Sequence, residues 1–229
     1  DYSWTKDPTV VTTMHWRADR SGEQEGGENH LYVVSSEGGA AAKISSWGLD
    51  YQGSLAWLDD NTLVLQGNDN LDDLQSPWKQ TAVFTLGVDS KKITRISPEG
   101  GVYNSPKPSS DGKIAFLGHP SKDYSYVALD IYLNDGKQTK KLTKDLSATP
   151  RELFWFNEKE LAFSIDDHGA SKVKIVNISS GELSEKIANF KEQFYLSSVH
   201  SDDLFGTYSN AKRPSELAVI KNGEIKKLS

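Results

Sequence analysis

An all-β fold is predicted for this 229-residue chain by three observations. Apolar runs rich in Val, Ile, Leu and aromatic residues alternate with acidic or glycine-containing turns, which suits pleated strands joined by tight hairpins. The pattern repeats from end to end with a period of about 46 residues, the mark of a repeated supersecondary unit. Helical periodicity is nearly absent: only residues 184–194 have some helical character, and they fall where the repeat requires a closing strand and a loop.

The repeat sets the elements in order. Short closing runs end at Ile44, Ile96, Leu142, Ile187 and Leu228, which are 52, 46, 45 and 41 residues apart. Ser45, Ser97, Thr143, Ala188 and Ser229 follow them. Residues 63–67, 114–118, 161–165 and 204–208 are the expected second strands. Each follows a turn such as Asp59-Asp60-Asn61 or Asp111-Gly112, where residues that tolerate positive φ are required. Third strands are expected over 81–88, 126–133, 172–178 and 215–221. An atypical unit comes first, with strands over 10–16, 30–36 and 41–45 and a Gly38-Gly39 turn. Strand-only repeats of this length predict a β-propeller of four-stranded antiparallel blades spanning 46–97, 98–143, 144–188 and 189–229, plus a partial blade over 1–45, in one domain.

The charge balance, 26 basic against 32 acidic residues, gives −6 and argues against nucleic-acid or anionic-membrane partners, which need a positive face. No run reaches the roughly 20 apolar residues of a membrane-spanning helix. The chain has no cysteine, so disulfides, thiolate metal sites and a cysteine nucleophile are excluded and the redox compartment is left open. It begins at Asp1 rather than Met, so a processed or truncated segment is expected, and a cytoplasmic location is the expectation for the parent.

Chemistry-bearing motifs are missing. A hydrolase nucleophile elbow needs Gly-x-Ser-x-Gly, and no such pentapeptide occurs; Gly53-Ser54-Leu55 comes nearest and opens a strand. His15, His30, His119, His168 and His200 lack metal-ligand spacing, and residues 68–73 lack the glycine and distal Glu of a calcium loop. No catalytic residue, metal or cofactor is therefore expected. Trp57, Trp155, Phe116, Phe154, Phe156 and Phe163 lie on first and second strands and are expected to pack between units. Trp78, beside Pro77 in the long segment 68–80, is a candidate contact for a partner or substrate.

His30-Leu-Tyr-Val-Val34 with Gly38-Gly39, Ser54-Leu-Ala-Trp-Leu-Asp59, residues 108–116 and Lys141-Leu-Thr143 together resemble the propeller repeats of prolyl-oligopeptidase-family serine peptidases, the acylaminoacyl-peptidase-like branch in particular. Residues 12–20 before His30, and 209–217 with the ending Lys227-Leu-Ser229, extend the resemblance over the chain. It implies a non-catalytic module that gates the access of short peptides to an α/β-hydrolase domain, which carries the Ser, Asp and His triad and is absent here. Arg17, Arg20 and Arg213 are the arginines in or near loops that such a module would use to hold a peptide terminus. It also implies seven or eight blades, hence further blades upstream of Asp1 and self-association of an isolated arc, against a compact five-bladed ring in which residues 2–5 supply the missing strand. A TolB-like propeller serving as a protein-interaction scaffold is the alternative.

Overall fold

Most of the predicted apolar runs are strands where they are described, but the run expected over 126–133 becomes a strand only from Asp130. The structure, a computed structural model, describes residues 10–12, 17–20, 22–23, 28–46, 48–70, 80–121, 127–144, 146–187 and 190–228. Two short hairpins come first, β1 (Arg17–Ala18) with β2 (Gly22–Glu23) and β3 (Tyr32–Val33) with β4 (Ala42–Lys43). Next is the antiparallel sheet β5 (Asp50–Asp59), β6 (Thr62–Asn68), β7 (Ala82–Gly87) and β8 (Ile93–Arg95), here unit 1. Unit 2 is β9 (Val102–Pro108), β10 (Ile114–His119), β11 (Asp130–Asn134) and β12 (Thr139–Lys141). Unit 3 comprises β13 (Leu153–Asn157), β14 (Glu160–Asp167), β15 (Ala170–Asn177) and β16 (Leu183–Glu185). Unit 4 comprises β17 (Gln193–His200), β18 (Asp203–Asn210), β19 (Arg213–Lys221) and β20 (Glu224–Lys227). A single parallel bridge, Ser171 to Gln193, merges units 3 and 4 into one eight-stranded sheet. The bridge between Thr81 and Val102 is its counterpart between units 1 and 2.

The strands differ from expectation mainly at their ends. The closing strands stop one or two residues before Ile44, Ile96, Leu142, Ile187 and Leu228. Four of those residues still donate one backbone hydrogen bond to the neighbouring strand, Ile44 to Leu31, Ile96 to Val83, Leu142 to Ile131 and Leu228 to Leu217, at 2.8 to 3.0 Å. In the atypical first unit the expected strands over 30–36 and 41–45 shrink to two residues each. Residues 10–12 lie outside strands, and 13–16 lie outside the described residues. Residues 183–185 are strand, and no helix occurs among the described residues.

The core lies between sheets. Leu31, Val33 and Ile44 of the β3–β4 hairpin pack on Leu63, Leu65, Phe84 and Leu86 of unit 1. Val64 and Val83 on the opposite face of unit 1 meet Tyr103, Ile114, Phe116 and Tyr132 of unit 2. There the Phe116 and Tyr132 rings stack at 5.7 Å, and Tyr103 meets both edge-on at 6.0 and 5.3 Å. Units 2 and 3 bury Leu117, Leu133, Phe163 and Ile165, and units 3 and 4 bury Ile175, Phe194, Leu196 and Leu204. Units 1, 2 and 3 are thus apolar on both faces, so each is stable only between neighbours. Phe116, Phe156 and Phe163 are buried as expected, and Phe154 and Trp155 are partly buried. Trp57 corrects that expectation: it is 53% exposed, and among the described residues the cluster that joins the β3–β4 hairpin to unit 1 does not extend to it.

Candidate functional site

Contacts between the first strands β5, β9, β13 and β17 of successive units bring them together on the inner side of the array. All four run the same way, so their starts, the ends of the second strands, the starts of the third and the ends of the fourth share one end of the sheets, here the head end. Polar side chains of units 3 and 4 meet there.

The densest cluster spans units 3 and 4. Arg151, just before β13, donates from Nε and Nη2 to Asp166 Oδ2 at 3.0 and 2.6 Å, and Ser171 Oγ donates to Asp166 Oδ1. The Arg151 guanidinium lies 5.2 Å over the Tyr195 ring, and the Tyr195 hydroxyl donates to Gln193 Oε1 at 3.1 Å. Ser171 N–H donates to the Glu192 carbonyl at 3.1 Å, which ties the two units together. The Glu192 carboxylate accepts from Tyr208 at 2.5 Å and from Asn210 Nδ2 at 3.0 Å. On the outer side Asp167 accepts from Lys172 Nζ at 2.9 Å and meets His168 Nδ1 at 2.5 Å.

These pairs set the protonation states. Hydrogen bonds from Arg151 and then Ser171 hold the Asp166 carboxyl below its ordinary range, and Lys172 and then His168 hold Asp167 down to about 2. The Asp166 partnership raises Arg151 in turn, and the Glu192 carboxylate raises Tyr208. Arg151 and Asp166 are both about half exposed, so their pairing orients the guanidinium and contributes little stability, about 0–1 kcal/mol. A fixed guanidinium beside an aromatic face and amide groups suits an anionic or carbonyl-bearing polar ligand.

The cluster lacks a nucleophile and base. Ser171 is buried and its hydroxyl is spent on a carboxylate with no imidazole between them. Ser45 Oγ lies 3.2 Å from His30 Nδ1, but Ser45 is buried and accepts the Leu31 N–H at 2.9 Å, a place that Ser97 and Thr143 fill in units 1 and 2. No group of three His, Cys, Asp or Glu residues that could hold a metal is found among the described residues. At residues 68–70, Asp69 pairs instead with Arg95 at 2.5 Å.

Of the residues singled out in the sequence, Arg17 and Arg20 share the β1–β2 hairpin and, with Asp19 and Gly22, line a shallow concavity of about 480 Å³. Arg213 opens β19 opposite Asn210 at the head end, where its charge acts on Tyr208 and Glu216. Arg213 therefore adjoins the Glu192 cluster, whereas Arg17 and Arg20 lie on the separate β1–β2 hairpin. Trp78 lies outside the described residues. Arg151, Asp166 and Tyr195 carry no sequence motif; Pro150, which ends the preceding loop at the strand start, was the one available signal.

Two acylaminoacyl peptidase structures share the fold. One, in complex with Z-Gly-Gly-Phe-chloromethyl ketone, superimposes over 100% of this chain and 35% of its own with a TM-score of 0.69 at 18% identity. That of Pyrococcus horikoshii covers 98% of this chain and 34% of its own, with a TM-score of 0.66 at 21% identity. TolB from Acinetobacter baumannii follows over 85% of this chain and 46% of its own, with a TM-score of 0.54 at 16% identity. The chain has the all-β propeller fold found in such peptidases; at these identities the likeness is one of fold, and the chain spans about a third of the peptidases' length. No protein-family profile and no curated protein matches it.

Proposed function

We propose that this chain is a non-catalytic propeller module of a serine peptidase, which packs against an α/β-hydrolase domain and admits short peptides while excluding folded proteins. Its four-stranded units are the blades of that module. The observation that carries the reading is the asymmetric overlap: the whole chain matches about a third of an acylaminoacyl peptidase, and the chain itself has no nucleophile elbow. The head-end cluster around Arg151, Tyr195 and Asn210, with Arg213 beside it, is the face we assign to peptide contact. Arg17, Arg20 and Trp78 are secondary candidates for the same role.

Two measurements test this reading. A serine-directed fluorophosphonate should leave the chain unlabelled, and stoichiometric labelling of any serine would defeat the non-catalytic assignment. Tri- to hexapeptides titrated into the isotope-labelled chain should shift resonances of Arg151, Gln193 and Tyr195, with no comparable effect from a folded protein of similar charge. Binding of folded proteins in place of peptides would favour an interaction scaffold, the reading that the likeness to TolB supports.

A further inference from the structure

The two faces of unit 4 differ. Leu204, Ala218 and Ile220 pack with Phe194 and Leu196 against unit 3. On the opposite face strand pairing sets Thr207, Leu217 and Leu228 in one row, and Phe205, Val219 and Lys226 in a second row nearer the tail end, the end away from the head end. In units 1 and 3 this face is covered. The pairs Gln66–Val83 and Ser164–Val173 hold the place of Thr207–Leu217, and Gln66 and Ser164 accept the N–H groups of Ser105 and Leu196 on the next first strand, at 3.3 and 2.9 Å. Val83 and Val173 are buried there against the following unit, as are Val64 and Ala162 at the place of Phe205. On unit 4, by contrast, Leu217 is 60% and Leu228 58% exposed, and Phe205 is half-buried.

Charge is divided along the same face. Lys212, with Arg213 beside it, is exposed at the head end, in the turn from β18 to β19. Asp202, in the turn from β17 to β18, and Glu224, at the start of β20, are exposed at the tail end. Asp203 pairs with Lys221 at 2.9 Å and Glu216 with Lys227 at 2.6 Å, so these neighbours cancel and the head end keeps a positive excess, the tail end a negative one.

We propose that two copies of this chain pair through this face of unit 4, about a two-fold axis that lies between the two sheets and runs across their strands. Sheets set face to face with aligned strands can be related by an axis along the strands, which puts like ends together, or by one across them, which puts opposite ends together. The charges select the second, in which Lys212 and Arg213 of each copy meet Asp202 and Glu224 of the other. The same axis lays the first row of each copy on the second row of the other, so that Leu217 covers Phe205 and Val219. The occupant is a second copy because the face is complementary to itself in charge and in apolar pattern, which is what an isologous interface requires.

Sedimentation equilibrium of the full chain over about 1–200 μM should show association that stops at the dimer. Leu217→Asp should weaken it by about tenfold or more, with an unchanged circular dichroism spectrum because the side chain is exposed in the single copy. Lys212→Glu with Arg213→Glu makes both ends of the face acidic, and Asp202→Lys with Glu224→Lys makes both basic. Each of these double variants should be monomeric alone, and their equimolar mixture should form a heterodimer. An unsubstituted chain that stays monomeric over the whole range would overturn the proposal, as would a mixture of the two charge variants that fails to pair while the unsubstituted chain dimerises. So would association that is abolished by Tyr32→Asp and untouched by Leu217→Asp, since the β3–β4 hairpin would then hold the second copy.

Discussion

The N–H of Ile131 donates to Thr143 Oγ1 at 2.9 Å, and the same hydroxyl donates to Asp130 Oδ1 at 2.8 Å, with Thr143 2% exposed. One side chain thus closes the outer edge of unit 2 and satisfies a buried carboxylate that also pairs with Lys141 at 2.5 Å. Thr143→Val strands an amide and removes a donor from Asp130, so a loss of about 2–4 kcal/mol is expected from the cost of two unmet buried groups. Thr143→Ser keeps the hydroxyl and should lose about 1 kcal/mol, the scale of a single buried methyl group. Urea unfolding of the two variants checks the difference.

Gly118 pairs with Tyr103 across β10 and β9, and a Cβ there would lie 2.1 Å from Tyr103 Cδ1. Gly118→Ala must displace a fully buried ring and is expected to cost about 2–4 kcal/mol, at or above the usual range for overpacking. Gly112→Ala, at φ +82° in open space, meets only backbone strain of about 1 kcal/mol. Melting temperatures should rank the two variants in that order.

Trp155 links unit 3 to unit 2 through its bond to the Lys107 carbonyl. Trp155→Phe keeps most of the packing and loses this bond, so a destabilisation of about 1 kcal/mol is expected. Lys107→Ala retains the carbonyl and should keep the bond. A double-mutant cycle in urea that shows the two changes to be additive supports this view of the contact.

His119 is 5% exposed, burial lowers its pKa, and its Nδ1 accepts the Ser121 N–H at 3.2 Å. Protonation turns that acceptor into a donor. The folded pKa lies below the unfolded value of about 6.5, so the unfolded chain binds the proton first and stability falls as pH drops below that value. His119→Gln should flatten the slope of stability between about pH 7 and 5.

Asp166 and Asp167 act in the same direction at lower pH. Their folded pKa values are depressed, that of Asp167 to about 2, so what they contribute is fully present above the unfolded value of about 3.9 and is lost as pH falls towards 2. Asp167→Asn should flatten the pH dependence of stability below about pH 4, leave the slope in the neutral range unchanged, and lower stability slightly at neutral pH through loss of the pairs with Lys172 and His168. An effect at pH 7 larger than that of an exposed pair would show that Asp167 has a further role.

The strand order and the repeat were legible in the sequence because hairpin turns and apolar alternation are local properties, written within a few residues of Asp59, Asp111 or Gly136. So were Ser45, Ser97 and Thr143 after the first three closing runs, although their task of accepting the amides of Leu31, Val83 and Ile131 emerges only when those residues come to lie beside them. The absence of a nucleophile elbow was legible in the same way. The head-end cluster was not. Arg151, Asp166, Ser171, Glu192, Tyr195 and Asn210 come from two units and meet because parallel first strands start at one end. Their spacing along the chain follows loop lengths and forms no motif, so only the packing of sheet on sheet decided which polar groups share a surface. The exposure of Trp57 was decided in the same way: composition marks it as core, but burial is a property of the neighbouring unit, and its side chain is left half exposed.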